Sequence, residues 1–290
     1  MSSVYRGRFA PSPTGPLHFG SMLAAVGSYL QAKSRKGRWL VRIEDIDPPR
    51  EVPGAAQHQL ETLARFGLQP DEAPLYQSAS AAQHRAALTR LLETGAAFRC
   101  GCSRRDLPAS GVYPGTCRDG LPPGRRARSI RFRINDQPEH FVDRIHGAQC
   151  VDLARECGDF VIRRADGLIA YQLAVVVDDI ASGITEVVRG ADLLDSSARQ
   201  QALYRALGAA PPQWVHLPLV VDRSGAKLSK SDNSDPVAAG SPATTLRQLL
   251  SALGHPPPPE AGSLDRLWRW AIENWNLARV PREPIKVPQR

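Results

Sequence analysis

Two clusters of side chains in this chain have the types and spacing to handle phosphate. The first is Arg8-Phe9-Ala10-Pro11-Ser12-Pro13-Thr14-Gly15, followed closely by His18-Phe19-Gly20-Ser21. A helix opening behind that loop would turn free N–H groups and the positive end of its dipole toward an anion. His18 could hydrogen-bond a phosphate there, and Gly20 would let a flat ring approach the backbone. Taken alone, His18 reads better as a plain turn histidine. The second cluster is Lys227-Leu228-Ser229-Lys230-Ser231. Two lysines three positions apart in a small, polar loop can clamp a polyphosphate and neutralise developing charge. A third group, Cys100-Gly101-Cys102 and Cys117, has the chemistry of a zinc site, since three thiolates and one further ligand hold Zn²⁺ tetrahedrally. On chemistry alone His140, His146 or Cys150 would complete it; free buried thiols are the other reading.

The elements that must position these groups are legible from periodicity. Val4–Ala10 reads as a strand that runs into the proline-rich loop, and Leu23, Val26 and Leu30 share one face of a following helix. Trp39–Glu44 reads as a second strand, so the start of the chain is a βαβ unit and implies a parallel sheet. Helical patterns follow near Ala55–Phe66 and Ala81–Thr94. From about Phe98 to Gly167 the composition shifts to Pro, Gly and Arg, with short strands at Ser129–Ile134, Phe141–Ile145 and Asp159–Arg163; this reads as an inserted subdomain. Parallel-sheet character returns at Tyr171–Val177 and Thr185–Arg189. A helix over Ser196–Leu207 would be capped by Asp195 or Ser196 and stopped by Gly208. His255-Pro-Pro-Pro-Pro259 reads as a stiff linker, Leu264–Trp275 as a last helix, and the final residues as irregular.

Composition bounds the answer further. With 290 residues, 42% hydrophobic and 23% charged, the chain is globular and long enough for one large domain or two smaller ones. No apolar run reaches the ~18–20 residues of a membrane helix, and MSSVYRGRFA is not a signal peptide, so a soluble, cytoplasmic protein is expected. Five cysteines in such a setting do not suggest a disulfide framework. The net charge is +8 and only five of the 37 basic residues are Lys. Between Arg99 and Arg133 stand nine Arg and two Asp, a local excess of +7. That stretch is either a solvated Arg-rich face or a phosphate-facing surface for nucleic acid.

In this order and on a βαβ frame, the phosphate clusters resemble the signatures of class I aminoacyl-tRNA synthetases: His18–Ser21 resembles the HIGH motif and Lys227–Ser231 the KMSKS loop. Arg8–Gly15, Arg42-Ile-Glu44-Asp-Ile-Asp47, Tyr171–Asp179 and Val188-Arg189-Gly-Ala-Asp192 are similar to the glutamyl-tRNA synthetase branch. The resemblance covers roughly residues 4 to 235. It implies a Rossmann-type α/β catalytic domain (1–97 and 168–235), an inserted, zinc-stapled small α+β subdomain (98–167), and a short helical C-terminal region (236–290). It implies that glutamate lies at Arg8, Phe9, Ala10, Pro11, Ser12, Glu44, Tyr171 and Arg189. Chemistry agrees: Arg8 and Arg189 could each fork onto a carboxylate, Glu44 could take the ammonium, and Tyr171 could hydrogen-bond the ligand unless it is a core aromatic. It places ATP, with Mg²⁺, at His18, Gly20, Ser21 and Lys230, with His18, Lys227 and Lys230 serving adenylate formation. The family spacing Cys-x-Cys…Tyr-x3-Cys makes Tyr113 the fourth zinc ligand beside Cys100, Cys102 and Cys117.

Two motif positions depart, Ser21 for the last His of HIGH and Leu228 for the Met of KMSKS. Fewer than 60 residues follow Ser231, too few for a helical anticodon-reading domain. The chain therefore resembles the shortened paralogues, the glutamyl-Q tRNA(Asp) synthetases, which pass glutamate to the cyclopentenediol of queuosine in tRNA(Asp). A monomer is expected. A truncated glutamyl-tRNA synthetase charging the 3′ end of tRNA(Glu) and an inactive RNA-binding module are the alternatives.

Overall fold

The computed structural model describes residues 4–222 and 241–286. The chain opens with β1 (Arg6–Phe9), α1 (Phe19–Lys33) and β2 (Arg38–Ile43). Then come α2 (Ala55–Arg65), β3 (Leu75–Tyr76) and α3 (Ala81–Glu93). β1 and β2 pair in parallel with Arg8 beside Leu40, and β3 extends the sheet from β2. The middle of the chain supplies β4 (Ala97–Cys100), β5 (Ser129–Phe132), β6 (Glu139–Asp143), β7 (Gly147–Val151), the short α4 (Leu153–Glu156) and β8 (Val161–Arg163). After these come α5 (Tyr171–Ala181), β9 (Glu186–Gly190), α6 (Leu194–Ala206), β10 (Gln213–Leu217) and β11 (Val220–Val221). The last elements are α7 (Pro242–Ala252), α8 (Leu264–Asn274) and β12 (Ile285–Lys286), which pairs with β11.

β9 and β10 pair in parallel and β6 joins β10, followed by β7. β1 lies beside this second sheet, because the Thr185 N–H just before β9 donates to Arg6 O at 2.9 Å. From there the chain passes outward through α1 to β2 on one side and through α6 to β10 on the other. The crevice at the carboxyl ends of β1 and β9 is thus a topological switch point, the position where open α/β sheets bind ligands. One core packs α1 against β1, β2, α7 and α8, around Met22, Val26, Leu30 and Trp39. A second packs α3, α5 and α6 around Leu91, Leu173, Val176 and Leu203.

Four expectations change. The run Tyr171–Val177 is the start of helix α5, not a strand. A mostly apolar run fits a buried strand or a buried helix equally; here the decision lies with Asp178 and Asp179, which the helix carries to buried arginines. Helix α6 starts at Leu194 with Leu193 at its N-cap and no side-chain cap, so neither Asp195 nor Ser196 caps it; Gly208 does end it, at φ +73°. The proline run is no linker: Arg247 donates to the carbonyls of Pro257, Pro258 and Pro259, and His255 stacks on Trp275 at 4.7 Å. Within 98–167, β4, β5 and β8 form their own antiparallel sheet, while β6 and β7 extend the sheet of β9 and β10. Among the described residues no helix is long and apolar enough to cross a membrane.

Candidate active site at the strand ends

A cavity of about 470 Å³ fills the crevice. Its wall includes every described residue expected at glutamate or ATP: Arg8 and Phe9 at the end of β1, Ala10 to Ser12 just after it, His18, Gly20 and Ser21 at the start of α1, Glu44 beyond β2, Tyr171 on α5 and Arg189 on β9. Lys227 and Lys230 lie outside the described residues.

Arg8 is buried, and its Nε reaches both oxygens of Asp179 at 3.1 and 3.2 Å. Among the described residues no hydrogen bond engages its Nη atoms, so the fork is available to a ligand carboxylate. Arg42, one strand over, donates to Asp179 at 2.6 Å and to Glu44 at 3.3 Å. Asp178 in turn accepts from Gln77 at 2.6 Å and pairs with His84 at 2.8 Å. Two carboxylates on α5 thus anchor two arginines on the sheet. Burial holds the Glu44 carboxyl above the ordinary range, although Arg42 and Arg8 pull it down. An incoming ammonium would relieve that penalty.

Arg189 is arranged differently. Its Nε donates to His216 Nε2 at 3.0 Å, Nη1 to Gln200 at 2.8 Å and Tyr171 at 3.4 Å, and Nη2 to Ser197 at 2.8 Å and the Leu193 carbonyl at 3.1 Å. All five guanidinium N–H groups have protein acceptors. The bidentate fork expected of Arg189 is therefore committed, and only the long Tyr171 bond is weak enough to yield to a ligand oxygen. Burial lowers the Arg189 pKa, yet its neighbours are mostly neutral, so its charge faces the cavity. Behind it, His216 is fully buried and donates Nδ1–H to Asp143 at 2.7 Å, which leaves Nε2 as the acceptor that Arg189 needs.

At the other end, His18 is the N-cap of α1, with Nδ1 accepting from the Ser21 N–H at 3.3 Å. A Cβ on Gly20 would stand 3.2 Å from the His18 ring, so glycine is what lets the imidazole fold over the helix start. The first turn of a fifteen-residue helix consequently points into the cavity, a place that favours phosphate.

The cysteines form a separate small core with Phe98 and Tyr113. The sulfurs of Cys100, Cys102 and Cys117 lie within 4.8 Å of one another. Cys102 and Cys117 are 3.7 Å apart, and Tyr113 Oη is 3.5 Å from Cys100 Sγ. Zn–S bonds of about 2.3 Å and Zn–O bonds of about 2.0 Å give tetrahedral edges of about 3.8 and 3.5 Å, so the four atoms fit the ion. Arg131 and Arg125 each donate to a sulfur at 3.4 Å, as thiolates would require. Burial pushes the Cys100 thiol up, but hydrogen bonds with Tyr113, the Cys102 N–H and Arg131 outweigh it and bring it to about 7. His140, His146 and Cys150 lie elsewhere, on or between β6 and β7.

The family model for tRNA synthetases class I (E and Q), catalytic domain, matches residues 4–110 and 122–253. Over 99% of both chains, 51% of residues are identical to a glutamyl-Q tRNA(Asp) synthetase of Chromobacterium violaceum. One of Aromatoleum aromaticum is 52% identical over 96% of this chain and 91% of its own. The chain belongs to the glutamyl-Q tRNA(Asp) synthetase family. It is thus an enzyme of the aminoacyl-tRNA synthetase ligase class. Among solved structures, the crystal structure of a glutamate tRNA ligase from Elizabethkingia meningosepticum, in complex with its amino acid, superposes with a TM-score of 0.83 at 28% identity. The match covers 98% of this chain and 67% of that one.

In this member of the glutamyl-Q tRNA(Asp) synthetase family, several wall residues were not legible as site residues. Gln59 on α2 donates to the carbonyls of Ser12 and Gly15 and holds the loop after β1. Asp192 and the segment Pro218–Val220 also line the cavity. His216 had one signal, a histidine inside the otherwise apolar end of a strand (Trp214-Val-His216-Leu217), and Asp178-Asp179 had another, two acids closing an apolar run.

Proposed function

We propose that this chain activates L-glutamate with ATP and transfers the glutamyl group to queuosine of tRNA(Asp). The observation that carries the reading is one cavity in which a carboxylate-binding Arg8, a buried Glu44 and a helix N-terminus face each other, in a chain of this family. Arg8 takes one glutamate carboxylate through its Nη atoms. Arg189 supplies charge to the other, with Tyr171 yielding its hydrogen bond, and Glu44 takes the ammonium. The carboxylate oxygen attacks the α-phosphorus of ATP; the bond to the β-phosphate oxygen breaks and pyrophosphate leaves. His18, Gly20 and Ser21 hold nucleotide and phosphates, and Lys227 and Lys230 are assigned by resemblance to the charge on the transferring and leaving groups. Mg²⁺ bound with ATP neutralises polyphosphate. A hydroxyl of the acceptor then attacks the glutamyl carbonyl, its proton is lost, and AMP departs.

Cys100, Cys102, Tyr113 and Cys117 hold one structural Zn²⁺, a closed site remote from the chemistry. The exposed arginines of residues 99–128 contact tRNA phosphates. The enzyme acts as a cytoplasmic monomer. The deciding experiment is to charge tRNA with labelled glutamate and identify the nucleotide that carries it. Label on queuosine is expected; label on a 3′-terminal adenosine overturns the acceptor assignment, and no glutamate-dependent ATP–pyrophosphate exchange overturns the activity.

A further inference from the structure

The segment Pro218–Val220 lines the cavity together with His18, Gly20 and Ser21, the end assigned above to the nucleotide. β10 stops at Leu217, and β11 lies outside the sheet of β9 and β10. The strand partner of β11 is β12, far later in the chain. The two run in parallel, Val220 beside Ile285 and Val221 beside Lys286. The Ile285 N–H donates to the Leu219 carbonyl at 2.7 Å. On its other side Val220 is buried against the start of α1, where a Cβ on Gly20 would stand 3.7 Å from the Val220 Cβ. A strand of two residues cannot hold itself in place, so its position depends on the backbone groups that pair with it.

The chain that leads to β12 is itself anchored. Trp275, directly after α8, donates its Nε1–H to Gln31 Oε1 on α1 at 2.8 Å and stacks on His255. The Asn276 N–H donates to His255 Nε2 at 3.0 Å. Arg279 passes so close to Gly254 that a Cβ there would stand 2.2 Å from the Arg279 carbonyl oxygen, and Val280 is buried in the first core. The segment after α8 is thus fixed to α1 and to the residues just after α7 before it reaches the cavity wall. We infer that β12 is a positioning element for ATP: the Ile285 N–H holds the Leu219 carbonyl, and with it keeps Pro218–Val220 at the distance from α1 that receives the nucleotide. Neither Ile285 nor Lys286 lines the cavity, so the effect runs through the backbone of β11. This inference rests on the ATP assignment above. Without the bond the wall occupies its binding-competent place for only part of the time, and the apparent affinity for ATP falls by that fraction.

The test compares the wild type with Ile285→Pro, which removes the N–H, with Ile285→Ala, which keeps it, and with a chain stopped after Pro284. The shortened chain covers the case in which Ile285→Pro folds poorly. Each is titrated calorimetrically with ATP and Mg²⁺ and assayed by glutamate-dependent pyrophosphate exchange. We expect Ile285→Pro and the shortened chain to bind ATP about fivefold more weakly, with the KM for ATP raised to match, as for loss of one hydrogen bond. The KM for glutamate, set by Arg8 and Glu44, should not move, and Ile285→Ala should match the wild type. A tail that only supports the fold would lower the melting temperature and shift both KM values together, or weaken ATP binding as much in Ile285→Ala as in Ile285→Pro; either result overturns the positioning role. If ATP affinity is unchanged in both Ile285→Pro and the shortened chain, the inference falls and the glutamyl-transfer reading stands. If the variants lose ATP affinity as expected but even the wild type shows no glutamate-dependent exchange, the activity reading falls and the positioning of ATP stands. A wild type that binds no ATP overturns both.

Discussion

Arg189 shows how a charged side chain can be made rigid before any ligand arrives. Its Nε–H ends on His216 Nε2, and that nitrogen can accept only while the imidazole is neutral. Asp143 fixes the tautomer from the other side. Burial lowers the His216 pKa to about 4, with Arg189 adding to the effect and Asp143 opposing it. A histidine whose pKa drops on folding binds fewer protons in the native state than in the unfolded one. Its contribution is fully present above the unfolded value near 6.5 and is lost as pH falls from there toward 4. The span corresponds to about 3 kcal/mol. His255, lowered chiefly by burial, acts in the same direction. Urea unfolding of the wild type should therefore show stability falling from pH 6.5 to pH 4, with a shallower slope for His216→Gln. Over the same interval the KM for glutamate in pyrophosphate exchange should rise in the wild type, because protonated His216 releases Arg189.

At the scale of elements, α5 joins the second core to the site. One face carries Leu173, Val176 and Val177 into the packing, and its last turns deliver Asp178 and Asp179 to Arg42 and Arg8. Asp179→Asn leaves both arginines facing a neutral amide. We expect a loss of about 3 kcal/mol in urea unfolding and at least a tenfold rise in the glutamate KM. The cysteine core is the other element with a decisive role. It holds few apolar groups of its own, so a metal would supply much of its cohesion. Metal analysis should find one zinc per chain, and Cys102→Ser or Cys117→Ser should lose it. Chelation should speed hydrogen exchange in residues 98–128 and leave α1 protected.

At the scale of the whole molecule, the basic surface proves smaller than its arginine count. Arg118 and Arg131 are tied to Asp159 by its side chain and backbone carbonyl respectively, Arg125 to Asp106, and Arg133 to Asp119. Arg99, Arg104, Arg105, Arg126 and Arg128 remain exposed. Replacing Arg104, Arg105 and Arg126 by Gln should weaken tRNA binding and reduce the slope of log K against log salt by about 2; an unchanged slope would show that this face does not meet the phosphates. The same replacements in the tied arginines should act on stability first.

The local order of residues determined a great deal. Loop, helix start and second strand follow from proline, glycine and apolar spacing within some forty residues, so β1, α1 and β2 were legible; that Arg8 to Ser12 and Glu44 line a glutamate site came from the family resemblance. The three cysteines were legible because they sit in one short segment; Tyr113 came only from the family resemblance, since chemistry alone pointed to His140, His146 or Cys150. The tertiary structure alone decided the rest, since it depends on partners far apart in the chain. An apolar run such as Tyr171–Val177 has no period to choose helix over strand until Asp178 and Asp179 meet arginines more than 130 positions away. The commitment of all five Arg189 donors and the neutral His216 behind them are likewise properties of packing. Hydrogen-bond satisfaction is settled only where distant segments close around one another.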